Sequence, residues 1–229
     1  MNAMRQMLSW IVLLSSLALV GCASQRPTPA TEWDGLVRQP NLRLDAVFVR
    51  PGAAQEIGGL RNVKLDIVSV SFSSDFDPAR GARSPARRLH ADDLVAIKEN
   101  LSAMTREIFA AELAEGGYRL VDAPGPDTLL VSAAIVDLFI TAPDPQSTGR
   151  SRTFTADSGR MTIVLELRDS VTGELMARVV DRQTGRRDGT WSITNRVTNT
   201  ADARRAIRNW AVALRQGLDE LSARSGQGQ

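Results

Sequence analysis

Only one cysteine, Cys22, occurs in the 229 residues. No disulfide can therefore tie the chain to itself, and its fold must rest on a hydrophobic core and backbone hydrogen bonds. The position of that cysteine narrows matters further. It follows an apolar run from Leu8 to Val20 that is broken only by serines and preceded by Arg5. The run is shorter than the roughly 20 residues a spanning helix needs. A basic start, an apolar middle and small residues at the end mark a secretory signal, which is removed and takes no part in the fold.

The residues Leu19-Val20-Gly21-Cys22 resemble the lipobox of bacterial lipoproteins. The resemblance implies that residues 1–21 are cut away and that the Cys22 thiol takes a diacylglycerol. The new amine would then receive a further acyl chain such as palmitate. With about 0.8 kcal/mol gained per buried CH₂, such an anchor is effectively permanent. Ala23 rather than Asp follows the cysteine, which in Gram-negative lipoproteins goes with export to the outer membrane; the periplasmic face is the expected side. Residues 22–32 form the lipidated cysteine and a tether, whose segment ASQRPTPATE reaches roughly 33 Å when extended. The folded body is expected as a single domain over residues 33–229, held close to headgroups and envelope proteins.

That body is 43% apolar and 24% charged when counted with the whole chain, the range of ordinary globular proteins. Lys+Arg number 28 against 26 Asp+Glu, and Arg5 belongs to the signal, so the body is near neutral and gives no footing for general nucleic-acid binding. Alternation predicts strands at RLDAVFVR (43–50) and NVKLDIVSVSF (62–72), while Tyr118–Val121 reads as a short strand and Thr128–Thr141 as a long one, apolar on both faces and so central in the sheet or covered twice. A glycine-rich loop over 52–59 separates the first two. RMTIVLELR (160–168) and Leu175–Arg182, joined by the turn DSVTGE, predict a hairpin. Leu94, Ile97, Leu101, Met104 and Ile108 recur at helical spacing behind Asp92 and Asp93, and Gly116-Gly117 stops that helix. A second helix is expected from Thr200 to about Ser222, capped by Asn199, with Ile207, Trp210, Leu214, Leu218 and Leu221 on one face. Strands and helices in this order predict an α+β fold: a two-layer sandwich with two long helices on a mainly antiparallel sheet.

Several segments in sequence, WDGL (33–36), RLDAVFVRPGA (43–53), AIVDLFITAPD (134–144), GRSRTFT (149–155) and LELRDSVTGELMARVVDR (165–182), resemble bacterial lipoproteins of the domain-of-unknown-function 3313 family. The likeness spans nearly the whole mature chain. It implies a lipid-anchored envelope protein and brings no activity, ligand or catalytic residue with it.

The chemistry-bearing residues are sparse. His90, the only histidine, lies at a predicted helix start and reads as a cap residue rather than a general base. P-loop, HExxH, GxSxG and GxGxxG patterns do not occur, and no metal or cofactor is expected. Asp75 and Asp77 in SDFDPARG read as turn formers. Asp137 interrupts an apolar strand and, if buried, needs a hydroxyl or cationic partner. Of the 28 basic residues all but Lys64 and Lys98 are Arg. Arg150, Arg152 and Arg160, flanking Phe154, form a candidate ligand site, because guanidinium forks suit phosphate and carboxylate; Arg80, Arg83, Arg87 and Arg88 form a second group. The leading expectation is a non-catalytic, periplasm-facing adaptor that binds an envelope protein or polymer. The alternatives are an enzyme on envelope polymers using Asp and Glu, and a module binding anionic phospholipid or polysaccharide through the Arg150–Arg160 loop.

Overall fold

The computed structural model describes residues 31–32, 34–41, 43–79, 89–140, 159–184 and 196–226. The signal, Cys22 and the tether up to residue 30 lie outside the described residues, as do Arg150, Arg152 and Arg80, Arg83, Arg87 and Arg88.

The elements run β1 (Thr31–Glu32), β2 (Leu36–Gln39), β3 (Ala46–Val49), α1 (Ala53–Gly59), β4 (Asn62–Leu65), β5 (Ser69–Phe72), α2 (Ala91–Glu115), β6 (Arg119–Leu120), β7 (Thr128–Phe139), β8 (Arg160–Asp169), β9 (Leu175–Thr184) and α3 (Arg196–Gly226). All nine strands join one sheet in the order β1-β2-β3-β9-β8-β7-β4-β6, with β5 beside β7. The architecture is mixed α/β. The sheet is also mixed, because β4 and β5 each pair parallel with β7 and β4 pairs parallel with β6, while the remaining pairings are antiparallel.

The β7–β8–β9 core follows from alternation. Opposed residues Val131 and Leu167, Ala133 and Leu165, and Ile135 and Ile163 share one face and are buried. Against that face lie Leu101, Ile108, Phe109 and Leu113 of α2 and Ile207, Trp210, Ala211, Leu214 and Leu218 of α3, all in one buried cluster. Each large side chain removed from water there contributes about 1.5–3 kcal/mol. Val47 and Val49 pack against this cluster, whereas Phe48 pairs with Arg178 on the other face of the sheet. The helices are tied together where Arg215 bridges Glu112 at 2.7 Å and Asp219 at 3.0 Å. Tyr118 donates to the same Asp219 at 2.9 Å, and burial together with that carboxylate pushes its phenol up to about 12.

Three expectations need correction. The segment 52–59 is a helix and not a loop: Ala53, Ile57 and Gly58 are buried, and a Cβ on Gly58 would stand 2.5 Å from the Leu221 carbonyl oxygen of α3. Glycine is there to let two helices approach closely. The single strand over 62–72 is two strands, because Asp66 breaks it: its carboxylate accepts the Ile67 N–H at 2.8 Å and the Ser132 hydroxyl at 3.1 Å. The break lets β4 and β5 meet successive stretches of β7, and it turns Ile67 out of the core to 80% exposure. The last helix starts at Arg196 and extends to Gly226, so Asn199 lies inside it.

Candidate functional site

Arg160 opens β8 next to the end of β7. Its Nη2 donates to both Asp75 oxygens at 2.5 and 2.7 Å, and its guanidinium sits 4.4 Å from the centroid of the Phe139 ring. Phe139 meets Phe76 edge-on at 6.0 Å, Phe76 stacks on Phe72 at 4.6 Å, and the Lys98 ammonium lies 5.5 Å over Phe72. Two cations thus bracket three rings, an arrangement favoured by the negative ring faces. Asp75 is held below the ordinary carboxylate range by the hydrogen bond from Ser73 and by Arg160. Its neighbour Asp77 forms a turn, accepting the Ala79 N–H at 2.8 Å. Of the three arginines of the candidate ligand site, Arg160 is therefore engaged by a carboxylate of the chain itself.

The expectation for Asp137 is met differently. It is exposed and has a φ of 52°, at the irregularity between Val136 and Phe139 where β7 slips against β8. Asp is one of the few residues with a side chain that tolerates the left-handed region. The bulge, rather than a buried partner, is why an apolar strand carries a carboxylate here.

A polar row crosses the sheet face turned away from the buried cluster: Ser132, Glu166, Arg178, Phe48 and Arg38 stand opposite one another on β7, β8, β9, β3 and β2. Glu166 accepts from Arg178 at 2.7 Å and from Arg168 at 2.7 Å. Arg178 also pairs at 3.0 Å with Asp34, whose own φ is 58°. Burial pushes the Glu166 carboxyl up, but hydrogen bonds and charge from Arg168 and Arg178 outweigh it and hold the group below its ordinary value. Burial likewise disfavours the Arg178 cation, and Glu166 and Asp34 more than offset it. The row clamps the Asp34-Gly35 turn onto the sheet. Sequence reasoning did not select it, although strand alternation in LELR places Glu166 and Arg168 on one face.

Asp181 is the other residue that the sequence did not reveal. It is 3% exposed and accepts from Trp210 Nε1 at 2.7 Å, Gln183 Nε2 at 2.7 Å and the Asp45 N–H at 3.1 Å. His90 caps α2, where its N–H donates to Asp93 at 2.9 Å. The Ser132 hydroxyl donates to Asp66 at 3.1 Å. Among the described residues no group of three or more His, Cys, Asp or Glu is placed to hold a metal ion.

The model of a family of proteins of unknown function, DUF3313, matches residues 76–214, more than half of the chain. The chain belongs to the DUF3313 family. The match takes in α2, the β7–β8–β9 core and most of α3; Glu166, Arg168 and Arg178 of the ion row lie within it, whereas Asp34 lies outside. No curated protein matches the chain. Among solved structures it is similar to a minor lipoprotein of Acinetobacter baumannii, at 9% identity and a TM-score of 0.35, over 70% of this chain and 91% of that one. A Xanthomonas campestris protein of the DUF330 family shows 9% identity and a TM-score of 0.41, over 73% of this chain and 89% of the other. The PelC dodecamer of Paraburkholderia phytofirmans shows 11% identity and a TM-score of 0.31, over 76% and 96%.

Proposed function

We propose that this DUF3313 protein is a lipid-anchored lipoprotein of the cell envelope. In this reading Cys22 ties it to the outer membrane on the periplasmic side, and it acts without catalysis, as an adaptor that binds another envelope protein. In this reading its two long helices, α2 and α3, make one layer of a sandwich over the sheet. No helix among the described residues is long and apolar enough to cross a membrane, so attachment in this reading falls to the acylated cysteine.

The observation that carries the adaptor role is the exposure of two large apolar side chains, Ile67 at 80% and Val95 at 54%. Ser102 donates to the Val68 carbonyl at 2.8 Å and Arg106 to the Leu65 carbonyl at 3.3 Å, which fixes the 65–68 loop against α2. Val95 lies two turns before Ser102 on the same side of that helix. Beside them β5 pairs with β7 alone, and no strand among the described residues covers its outer edge. Rigidly held apolar side chains next to an open strand edge suit an extended segment of a protein partner.

The reading is tested by labelling cells with a palmitate analogue, weighing the mature N-terminus and fractionating envelopes for the native chain and for Cys22→Ala. Label on the native chain only, with the native chain in the outer-membrane fraction, is the expected result. A native chain that is unlabelled, or that leaves with the soluble fraction, overturns it.

A further inference from the structure

The open edge of β5 and the flank of α2 beside it carry a pattern that specifies what a partner must bring. Ser73 donates its N–H to the Leu138 carbonyl of β7 at 2.9 Å. In a parallel pair the N–H and carbonyl of one residue point to the same side and those of the next residue to the other. Val70 and Phe72 therefore turn both groups to the outer edge, and the side chains of Ser69 and Ser71 are exposed. Asp66 likewise donates to the Val131 carbonyl at 3.0 Å, which turns the Leu65 carbonyl outward, where Arg106 of α2 meets it at 3.3 Å. The flank of α2 runs antiparallel to this edge: Arg106 stands by Leu65, Ser102 bonds the Val68 carbonyl at 2.8 Å, and the Lys98 ammonium lies 5.5 Å over the Phe72 ring.

Two cations on that flank lack a counter-charge. Lys98 and Arg106 are exposed, and neither has a carboxylate partner among the described residues; no ion pair joins them to their neighbours Glu99 and Glu107. Their separation is fixed because both stand on one helix, eight residues apart, which is about 12 Å along its axis. An extended chain advances about 3.3 Å per residue, so its residues i and i+4 are about 13 Å apart and project from the same face. The next residue on that face, i+6, falls near Val95, which is 54% exposed.

We propose that β5 accepts, as an added strand, an acidic extended segment of another protein. Two carboxylates four residues apart meet Lys98 and Arg106, an uncharged residue between them faces Ser102, and an apolar residue covers Val95. Backbone bonds to Val70 and Phe72 supply affinity, and the two cations supply selection, since a basic segment is repelled there. That the partner is an envelope protein rests on the adaptor reading, while the chemistry of the edge does not.

The test uses the full mature chain in neutral detergent and a capped fluorescent peptide in which serine alternates with valine, glutamate, threonine, glutamate and valine, a sequence that reads the same in both directions. One comparison peptide has lysine for both glutamates; the other has one glutamate moved by a single position, so that the pair falls on opposite faces. Anisotropy at low salt should show saturable binding of the first peptide, about tenfold tighter than the lysine peptide and about threefold tighter than the shifted one, with the preference shrinking as salt rises. Amide exchange over residues 69–72 should slow in the complex. Lys98→Glu combined with Arg106→Glu should reverse the order of the glutamate and lysine peptides, and Lys98→Gln combined with Arg106→Gln should abolish the preference; the urea midpoint of each variant shows that it is folded. No saturable binding, equal affinity for the three peptides, an order unchanged in both folded variants, or unslowed amides at 69–72 overturns the proposal. Photocrosslinking at Ile67 in cells separates this proposal from the adaptor reading. A captured envelope protein whose crosslinked segment lacks an acidic pair contradicts the proposal and leaves the adaptor standing, whereas no capture, with peptide binding as expected, contradicts the adaptor and leaves the selectivity of the edge standing.

Discussion

Asp181 should be worth far more than its place at the end of a strand implies. Its carboxylate is 97% removed from solvent by the exposure of 3% noted above, and it is the acceptor for the indole N–H of Trp210, itself 2% exposed. In Asp181→Ala the indole donor is left in the core with nothing to bond, and the Asp45 N–H loses its partner at the partly buried turn. Gln183 is half-buried and can turn to water. An orphaned buried donor costs roughly 1–3 kcal/mol, so the substitution should remove about 2–4 kcal/mol. For a body of this size that lowers the melting temperature by about 4–16 °C. Urea unfolding followed by tryptophan fluorescence and by circular dichroism reads the loss. Trp210→Phe removes the donor instead, and in the double variant the two losses should fall short of their sum by about 1–2 kcal/mol, because they share one bond. An Asp181→Ala protein within about 0.5 kcal/mol of the native chain, or strict additivity with Trp210→Phe, would refute the claim that this hydrogen bond fastens α3 to the sheet.

Three further outcomes follow from the geometry. Gly58→Ala forces a Cβ to 2.5 Å from the Leu221 carbonyl oxygen and should cost about 1–3 kcal/mol in urea unfolding; an unchanged midpoint would show that α1 does not pack so closely on α3. At Asp137, with φ at 52°, Gly should be neutral or stabilising by up to about 1 kcal/mol, whereas Val should destabilise by about 1–2 kcal/mol; equal stabilities would argue against a left-handed residue there. The carboxyl of Glu166 is lowered in the folded protein, so its contribution is full above its ordinary value of 4.5 and is lost as pH falls through the lower, folded value. Glu166→Gln should accordingly be less stable than the native chain at neutral pH and should lose less on acidification, and parallel pH profiles would contradict the ion row.

Much of the fold was legible because its signals are local. RMTIVLELR alternates, and the residues it points inward, Met161, Ile163, Leu165 and Leu167, are buried, although Thr162, which alternation turns outward, is buried as well. The α2 stripe and its Gly116-Gly117 stop were readable for the same reason, and Leu101 and Ile108 are core residues. What was hidden depends on partners far along the chain. Gly58 reads as a loop former until Leu221 is brought against it, and Asp66 reads as one polar residue in a strand until Ser132 lies beside it. Short edge strands such as β1 and β2 carry too few residues for alternation to show. The candidate sites were less legible still. Arg160 stands out in the sequence through its neighbours Arg150, Arg152 and Phe154, yet its partner Asp75 is 85 residues away. The row through Asp34, Glu166 and Arg178 exists only once β8 and β9 are in register.

The adaptor reading is tested most directly by photocrosslinking in intact cells, with a photoreactive amino acid placed singly at Ile67, at Val95 and, as a control of similar exposure, at Val171. Ile67 and Val95 should both capture the same envelope protein, Val171 should not, and Cys22→Ala should abolish the capture. No adduct from Ile67 or Val95, or the same adducts from Val171, would contradict the proposal that this surface is where the protein works.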